Sequence, residues 1–588
     1  MESKAAQLKL HHARIVAWRA EGLTFRQIAD RLTLEGLKVD HNAVHRYCKK
    51  AGISTEAMPK EAEPEPPRVA TSEGVPPRLE REAEVFVVPP PAEVAPWQDP
   101  PRLYAPLDFG PWWTPDLTLL RFGDASGGDA WTLQDACEGV FITGATGSGK
   151  TSGSGATLAR TFLECGFGGV VLTVKPDERQ LWERYATECG RKDQLCIVEP
   201  GGACRINFLD YEARRPGAGS GLIENLVNIF YTILEVYTRS QGDQAAKDFW
   251  ENAGRQLLRN VLRVLERSRG QLSLEEIGLL LTEAPQSPEQ VAGDAWKRTK
   301  HFGVWLQQAL ARAKGTPYER VINEARRYWL EEFPSLARET RSCLITGLTA
   351  MADAFVEPAI HDLFCTDTTL IPESVTEGAV VVVDLPLKRY KAVGLFAQMI
   401  WKHLFQEAIE RRSDPDDATR RPVFLWADEA QFFYGAYDGL FQSTARSSRC
   451  ATVYLTQNIP NFYGVLGGHQ AKSKVDGFLG NLNTKIFHCN NDPTTNQWAA
   501  EQIGKRLTHR FSSNSGTSRK SFWDFFPSES RSTGMQEVID YEVQPSDFTQ
   551  LRTGSAQYDC LVDAYFVKSG ACFNATGKHF FRITFQQR

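Results

Sequence analysis

The segment GVFITGATGSGKTS leaves a short apolar run through a glycine-rich turn, and Gly144 to Thr151 match the spacing G-x-x-x-x-G-K-T. Glycines at these steps let successive backbone N–H groups turn inward around a phosphate chain, and a helix starting there points its positive end at the same place. Lys150 then neutralises the β and γ oxygens, and Thr151 offers a hydroxyl to magnesium. The expected nucleotide cradle is Gly144, Ala145, Thr146, Gly147, Ser148, Gly149, Lys150, Thr151 and Ser152. A glycine-rich structural turn is the alternative, but placement after a strand and at a helix start favours ATP with Mg2+.

Binding becomes hydrolysis only with a second, acidic site. VFLWADEAQ supplies it, with Asp428 and Glu429 at the end of a run of buried-strand character. Asp428 is expected to hold the magnesium, usually through water, and Glu429 to orient and polarise the attacking water. The plainer alternative is an acidic pair capping a helix. In LFQSTARSSRCATVYLTQNIPNFYG, Arg446 and Arg449 precede the next strand. An arginine reaching into a neighbouring subunit's site raises turnover by about 10³ to 10⁵. Arg446 is the residue chosen for that role, against ordinary surface ion pairs for both arginines.

These groups need strands to present them. Apolar runs at 139–143, 169–174, 195–198, 378–385, 423–427, 451–456 and 484–489, with helical patterns between, predict a parallel-sheet α/β domain, and 560–567 and 579–585 predict late antiparallel pieces. Residues 219–364 are almost wholly helical in pattern; Phe249, Trp250, Ala253, Leu257, Val261 and Leu265 share one helical face. The expected organisation is a first part of the sheet domain at 104–218, an all-α insert at 219–364 and a second part at 365–588.

Ahead of this, residues 1–52 give three short helical patterns arranged as a helix-turn-helix. Its third helix is expected to offer His41, Asn42, His45, Arg46 and Lys49 to DNA while Val44 and Tyr47 pack inward. A three-helix docking module with a solvated basic face is the alternative. Residues 53–103 are crowded with Pro and Glu and read as an extended tether. Residues 505–535 mix Ser, basic and aromatic residues without periodicity, which suits a mobile surface loop or a single-strand contact.

The 588 residues suggest roughly three to four domains. A hydrophobic content of 42% fits folded globular cores, and a net charge of −5 says little about partners because basic residues prevail before Gly52 and acidic ones from there to Pro100. Twelve scattered cysteines, with no C-x-x-C pair, indicate neither disulfides nor a zinc site and fit a reducing cytoplasm. There is no leader pattern and no apolar run of about 20 residues, so no intrinsic membrane span is expected; 221–237 (GLIENLVNIFYTILEVY) reads as a buried helix.

From about Phe109 onward the order of elements resembles the TraD/TraG-type coupling ATPases of conjugation and type IV secretion, within the HerA/FtsK group of ring motors. The echoes are VVLTVKPDERQLW, INFLDYEA, the DFW opening of the helical insert, TEGAVVVVDLP, DEAQ, ARSSR, TQNIPNFYG and LGNLNTKIFHCNNDPTTNQWAAEQIG. The resemblance implies a RecA-like ring domain with an all-α insert that contacts DNA and relaxase cargo. It also implies a γ-phosphate sensor at Gln457. Two departures stand out: the helix-turn-helix and tether occupy the place of the usual membrane helices, and KPDE (175–178) rearranges the family's charged loop, so no role is carried onto those four residues.

The expectation is therefore an ATP-driven, homo-hexameric DNA translocase serving a secretion apparatus, cytoplasmic and brought to the inner membrane by a relaxase or secretion-channel protein. Two rivals are a cytosolic HerA-like translocase in DNA processing, plasmid maintenance or phage defence, and a helix-turn-helix regulator that uses nucleotide only as a switch.

Overall fold

Four consecutive valines, Val380 to Val383, show how the architecture arises. Side chains alternate along a strand, so Val380 and Val382 enter one core while Val381 and Val383 enter the other. A strand apolar on both faces must be covered on both, and parallel strands crossing over through helices achieve this. The structure, a computed structural model, describes residues 97–107, 113–123, 128–238, 244–269, 272–353, 355–412, 419–468, 470–518 and 528–587, with 41–51 and parts of 11–34.

The strands are β1 (Thr118–Phe122), β2 (Asp129–Thr132), β3 (Val140–Thr143), β4 (Gly168–Leu172), β5 (Leu195–Val198), β6 (Val380–Val383), β7 (Val423–Ala427), β8 (Cys450–Thr456), β9 (Thr484–His488), β10 (Lys505–Ser518), β11 (Ser528–Tyr541), β12 (Leu561–Lys568) and β13 (Phe580–Gln586). Nine of them form one sheet in the order β13-β12-β9-β3-β8-β7-β4-β6-β5. From β9 to β5 all neighbours are parallel, and β12 runs antiparallel to both β9 and β13. The phosphate-loop strand β3 thus lies beside β8, and β8 beside β7, so 143, 456 and 427 end at one edge. This is the α/β fold that the apolar runs predicted.

Between β5 and β6 the described elements are all helical. They include Ile223–Thr238, Gln244–Arg269, Phe302–Ala313 and Arg338–Asp353. Leu257, Val261 and Leu265 are buried along one face of the longest of these, as their spacing requires, and they join the core on that side of the sheet. Leu226, Val227, Ile229 and Phe230 are likewise buried, so the apolar stretch near 221–237 is a core helix. No helix among the described residues is long and apolar enough to cross a membrane.

Residues 505–535 depart from the expected loop. β10 and β11 pair antiparallel in unbroken register from Lys505↔Tyr541 to Ser518↔Ser528, while 519–527 lie outside the described residues. Polar side chains do not prevent a ribbon whose backbone groups satisfy each other, and cross-strand pairs such as Leu507↔Ile539 and Phe511↔Met535 add to it. These four side chains are exposed.

The chain divides into two units after Val85. In the first, helices Phe25–Leu34 and His41–Lys50 close around Ile15, Ile28, Ala29, Leu32, Val44 and Cys48. Val44 is buried as expected and Tyr47 half-buried; His45, Arg46 and Lys49 are exposed. His45 also meets the Phe25 ring edge-on at 4.8 Å. The side chains of His41 and Asn42, most of the first predicted helix and most of the 53–103 tether lie outside the described residues.

Candidate active site

The phosphate loop follows β3, whose four residues are all buried. Gly147 and Gly149 have φ of +77° and +82°, a region that disfavours side chains. At Gly149 a Cβ would also lie 2.5 Å from Val562 Cγ2 on β12, so only glycine lets the loop pass there. The loop then enters a helix through a wide turn, with Gly155 N–H donating to Lys150 O at 2.8 Å, and continues as Ala156–Glu164. Of the nine cradle residues, Ala145 to Ser152 line a cavity of about 810 Å³. Gly144 sits behind them, its N–H on Thr456 O at 3.3 Å.

Strand β7 leads Glu429 into the same cavity and sets Asp428 behind its wall, against Thr151. Thr151 Oγ1 donates to Asp428 Oδ2 at 3.3 Å, which brings together the two groups expected to share a metal. Asp428 and Glu429 are both nearly fully buried. Glu429 adopts a left-handed backbone (φ 50°, ψ 48°), which turns its carboxylate toward the end of β8. There Gln457 Nε2 donates to Glu429 Oε1 at 2.9 Å, and Gln431 Nε2 to Oε2 at 3.1 Å. Burial disfavours the charge on Glu429, but these two amides, with Lys150 and Lys175 nearby, hold its carboxyl below the ordinary value.

Lys175 and Glu178, to which the sequence assigned no role, belong to this site. The Lys175 ammonium stands 3.4 Å from Asp428 Oδ2, 3.7 Å from Glu429 Oε1 and 4.0 Å from Glu178 Oε1. Burial alone would lower its pKa; the surrounding carboxylates outweigh this and raise it. Burial pushes the Glu178 carboxyl up to about 8, helped by Asp428 and opposed by the N–H of Val174 and by Lys175. The signal that could have exposed this pair was position, since both follow β4, the strand beside β7.

The residues present fit a magnesium nucleotide. Lys150, Lys175, Arg184 and Lys388 all face the cavity, a cationic lining suited to a polyanion. Ser148 Oγ is buried without a hydrogen-bond partner inside the loop, as a group reserved for a ligand is. A Cβ on Gly144 would fall 2.4 Å from that oxygen. The arrangement can hold a triphosphate, carry a metal on Thr151 and Asp428, and place a charged base beside it.

Arg446 is not at this cavity. Its side chain is 65% exposed and lies 3.4 Å from Glu138 Oε1, at the edge where β3 and β8 begin and thus opposite the phosphate loop. Arg449 has a structural position: its guanidinium donates to the carbonyls of Trp113 (2.9 Å) and Arg420 (3.2 Å).

Among solved structures, the chain is similar to the unbound bacterial conjugative coupling protein TrwBdeltaN70, with 15% identity over 80% of this chain and 88% of that one and a TM-score of 0.51. It is also similar to the plasmid coupling protein TrwB in complex with the ATP analogue ADPNP (15% identity, 83% and 97% covered, TM-score 0.51) and with ADP and Mg2+ (15%, 78% and 87%, 0.50). At such identity the likeness concerns the fold, which the P-loop NTPase site occupies at the sheet's carboxyl edge. No curated protein matches the sequence. The type IV secretory system conjugative DNA transfer family matches residues 114–546, a span that runs from before β3 to beyond β11 and contains every residue of the cavity described above. With most of its length and the whole nucleotide cavity inside that match, the chain belongs to the type IV secretory system conjugative DNA transfer family.

Proposed function

We propose that the chain is an ATP-driven DNA translocase that couples DNA, or a relaxase–DNA cargo, to a type IV secretion apparatus. The observation that carries this reading is the convergence of Lys150, Thr151, Asp428, Glu429 and Gln457 from three adjacent strand ends on one cavity. Lys150 would bind the β and γ oxygens, while Thr151 and Asp428 would hold Mg2+. The metal, when bound, supplies charge neutralisation at the phosphates. Glu429, aimed by Gln457 and Gln431, takes the proton of the attacking water as that water bonds to the terminal phosphorus and the bond to the departing diphosphate breaks. The TrwB complexes with ADP and Mg2+, with ADPNP and with the GTP analogue GDPNP support a purine nucleotide with Mg2+ here, and ATP is the one proposed.

The motor reading adds a second surface. Arg446, exposed at the opposite sheet edge, would serve a neighbour's site in a head-to-tail homo-hexamer around DNA. The helical segment between β5 and β6 acts as the insert domain for cargo. The N-terminal helices would bind DNA through His41, Asn42, His45, Arg46 and Lys49, and recruitment to the inner membrane from the cytoplasm would come through a secretion-channel partner. Family membership supports this reading over a cytosolic HerA-like role and over a nucleotide-switched regulator.

The test is phosphate release by the purified chain with and without DNA, across protein concentration. Stimulation by non-specific DNA that rises with assembly supports the motor; a stable monomer with concentration-independent turnover refutes the shared junction. Deleting residues 1–52 is expected to weaken DNA binding while leaving basal turnover intact.

A further inference from the structure

The nucleotide cavity holds one cation in an unusual position. Lys175 Nζ and Thr151 Oγ1 approach the same carboxylate oxygen, Asp428 Oδ2, at 3.4 and 3.3 Å. A divalent cation held by Thr151 and Asp428, directly or through water, would bring a second positive charge beside that carboxylate. An ammonium and a divalent cation cannot share it closely, because both charges would be confined in a largely buried site. Lys175 can give way. Its side chain is 31% exposed, faces the cavity and ends a flexible four-carbon stem.

Its backbone, by contrast, is fixed. Glu178 Oε2 accepts the N–H of Val174 at 2.7 Å, and Val174 O accepts the N–H of Lys388 at 3.1 Å, which anchors the turn after β4. A lysine with a fixed base and a free head, displaced from Asp428, has one new anion within the cavity: the terminal phosphate of a bound triphosphate. A diphosphate offers nothing there.

We propose that Lys175 is a phosphate-contacting residue that discriminates nucleoside triphosphate from diphosphate. It bridges Asp428 and Glu429 and moves to the terminal phosphate when a metal-bound triphosphate is seated. The inference rests on the nucleotide-site reading above and adds a residue that a phosphate loop and an acidic strand end do not by themselves require.

Equilibrium titration of the full chain with fluorescent ADP and a fluorescent non-hydrolysable ATP analogue, each with Mg2+, tests it. Lys175→Ala is expected to weaken the triphosphate analogue by about tenfold or more, the loss of one charge-assisted contact, and to leave ADP within about twofold. Removal of the competing ammonium is also expected to lower the Mg2+ concentration needed to half-saturate the ADP complex. Lys175→Arg, which keeps the charge, is expected to restore most of the triphosphate preference. Equal weakening of both nucleotides in Lys175→Ala and Lys175→Arg would assign the lysine to site integrity and overturn the proposal, as would wild-type affinities throughout. A wild-type chain that binds neither nucleotide, with Lys150→Ala indistinguishable from it, would overturn the site reading itself and this proposal with it.

Discussion

Gln457 Nε2 donates to Glu429 Oε1 at 2.9 Å, while the backbone carbonyl of Gln457 accepts from Thr143 Oγ1 at 3.2 Å and from Asn490 Nδ2 at 2.8 Å. One residue therefore ties Glu429, just past β7, to the phosphate-loop strand β3 and to the segment after β9.

Replacing Gln457 with Ala is expected to lower turnover about tenfold to a hundredfold with little change in nucleotide affinity, because Glu429 loses one of its two aiming amides. The pH profile should move as well. Glu429 works as a carboxylate, and its carboxyl is held below the ordinary value partly by Gln457. Removing that donor raises the pKa, so activity should fail at a higher pH as the solution is acidified. Rates measured from pH 5 to 8 in both proteins decide this, and an unmoved acid limb counts against it.

Lys150→Ala and Glu429→Gln should fail differently. The first removes a buried cation that faces the phosphates, so nucleotide affinity should drop about tenfold to a hundredfold or more. The second keeps shape and removes the base, so binding should persist while phosphate release falls by about 10² to 10⁴. Nucleotide titration beside a phosphate-release assay separates the two, and full turnover in either variant refutes the site.

Among the described residues Arg446 pairs only with Glu138, across a 3.4 Å contact at the surface, and such contacts contribute about 0 to 1 kcal/mol. Arg446→Ala should therefore unfold at an unchanged temperature yet lose about 10³-fold or more in assembled turnover. Mixing it with Lys150→Ala should recover part of the activity, since one variant retains the arginine and the other an intact cavity. No recovery on mixing, with hexamers present, argues against action across a junction.

Two buried histidines set an acid limit on stability. Burial, with Lys402 adjacent, lowers His403 to about 4, and burial lowers His488 to about 3, its Nε2 lying 2.7 Å from Ser154 Oγ. Both are neutral in the folded chain, whereas unfolding returns them to about 6.5. For these two groups the unfolded state then binds more protons, so their contribution is complete above about pH 6.5 and declines as pH falls from there, by about 1.4 kcal/mol per pH unit for each histidine, while Glu178, raised to about 8, opposes them with one proton of the reverse sign. Denaturant titrations between pH 6.5 and 5 should show this slope, and His403→Met should roughly halve their contribution to it. An identical slope in that variant rejects the assignment.

How much of this was legible in the sequence depends on burial. Strands such as β6 and β7 are apolar on both faces because both are covered, so runs such as VVVV and VFLWA announce themselves. The ribbon β10–β11 has no covered face: its exposed Leu507, Phe511, Met535 and Ile539 are scattered among serines and charges, and backbone pairing leaves no compositional trace. The short β1 and β2 also lacked a signal. Lys175 and Glu178 were unreadable for a different reason, since their importance comes from β4 lying next to β7, a neighbour relation that no local motif encodes. The same holds for Arg449, whose carbonyl partners Trp113 and Arg420 are fixed by tertiary packing.

The left-handed backbone at Glu429 has a consequence for how the protein can change. A side chain other than glycine or asparagine there stores about 1 to 2 kcal/mol of conformational cost. Glycine would relax the chain and silence the chemistry. Selection for heat tolerance alone would therefore drift away from glutamate at this position, whereas selection for the proposed turnover would hold the strained residue in place.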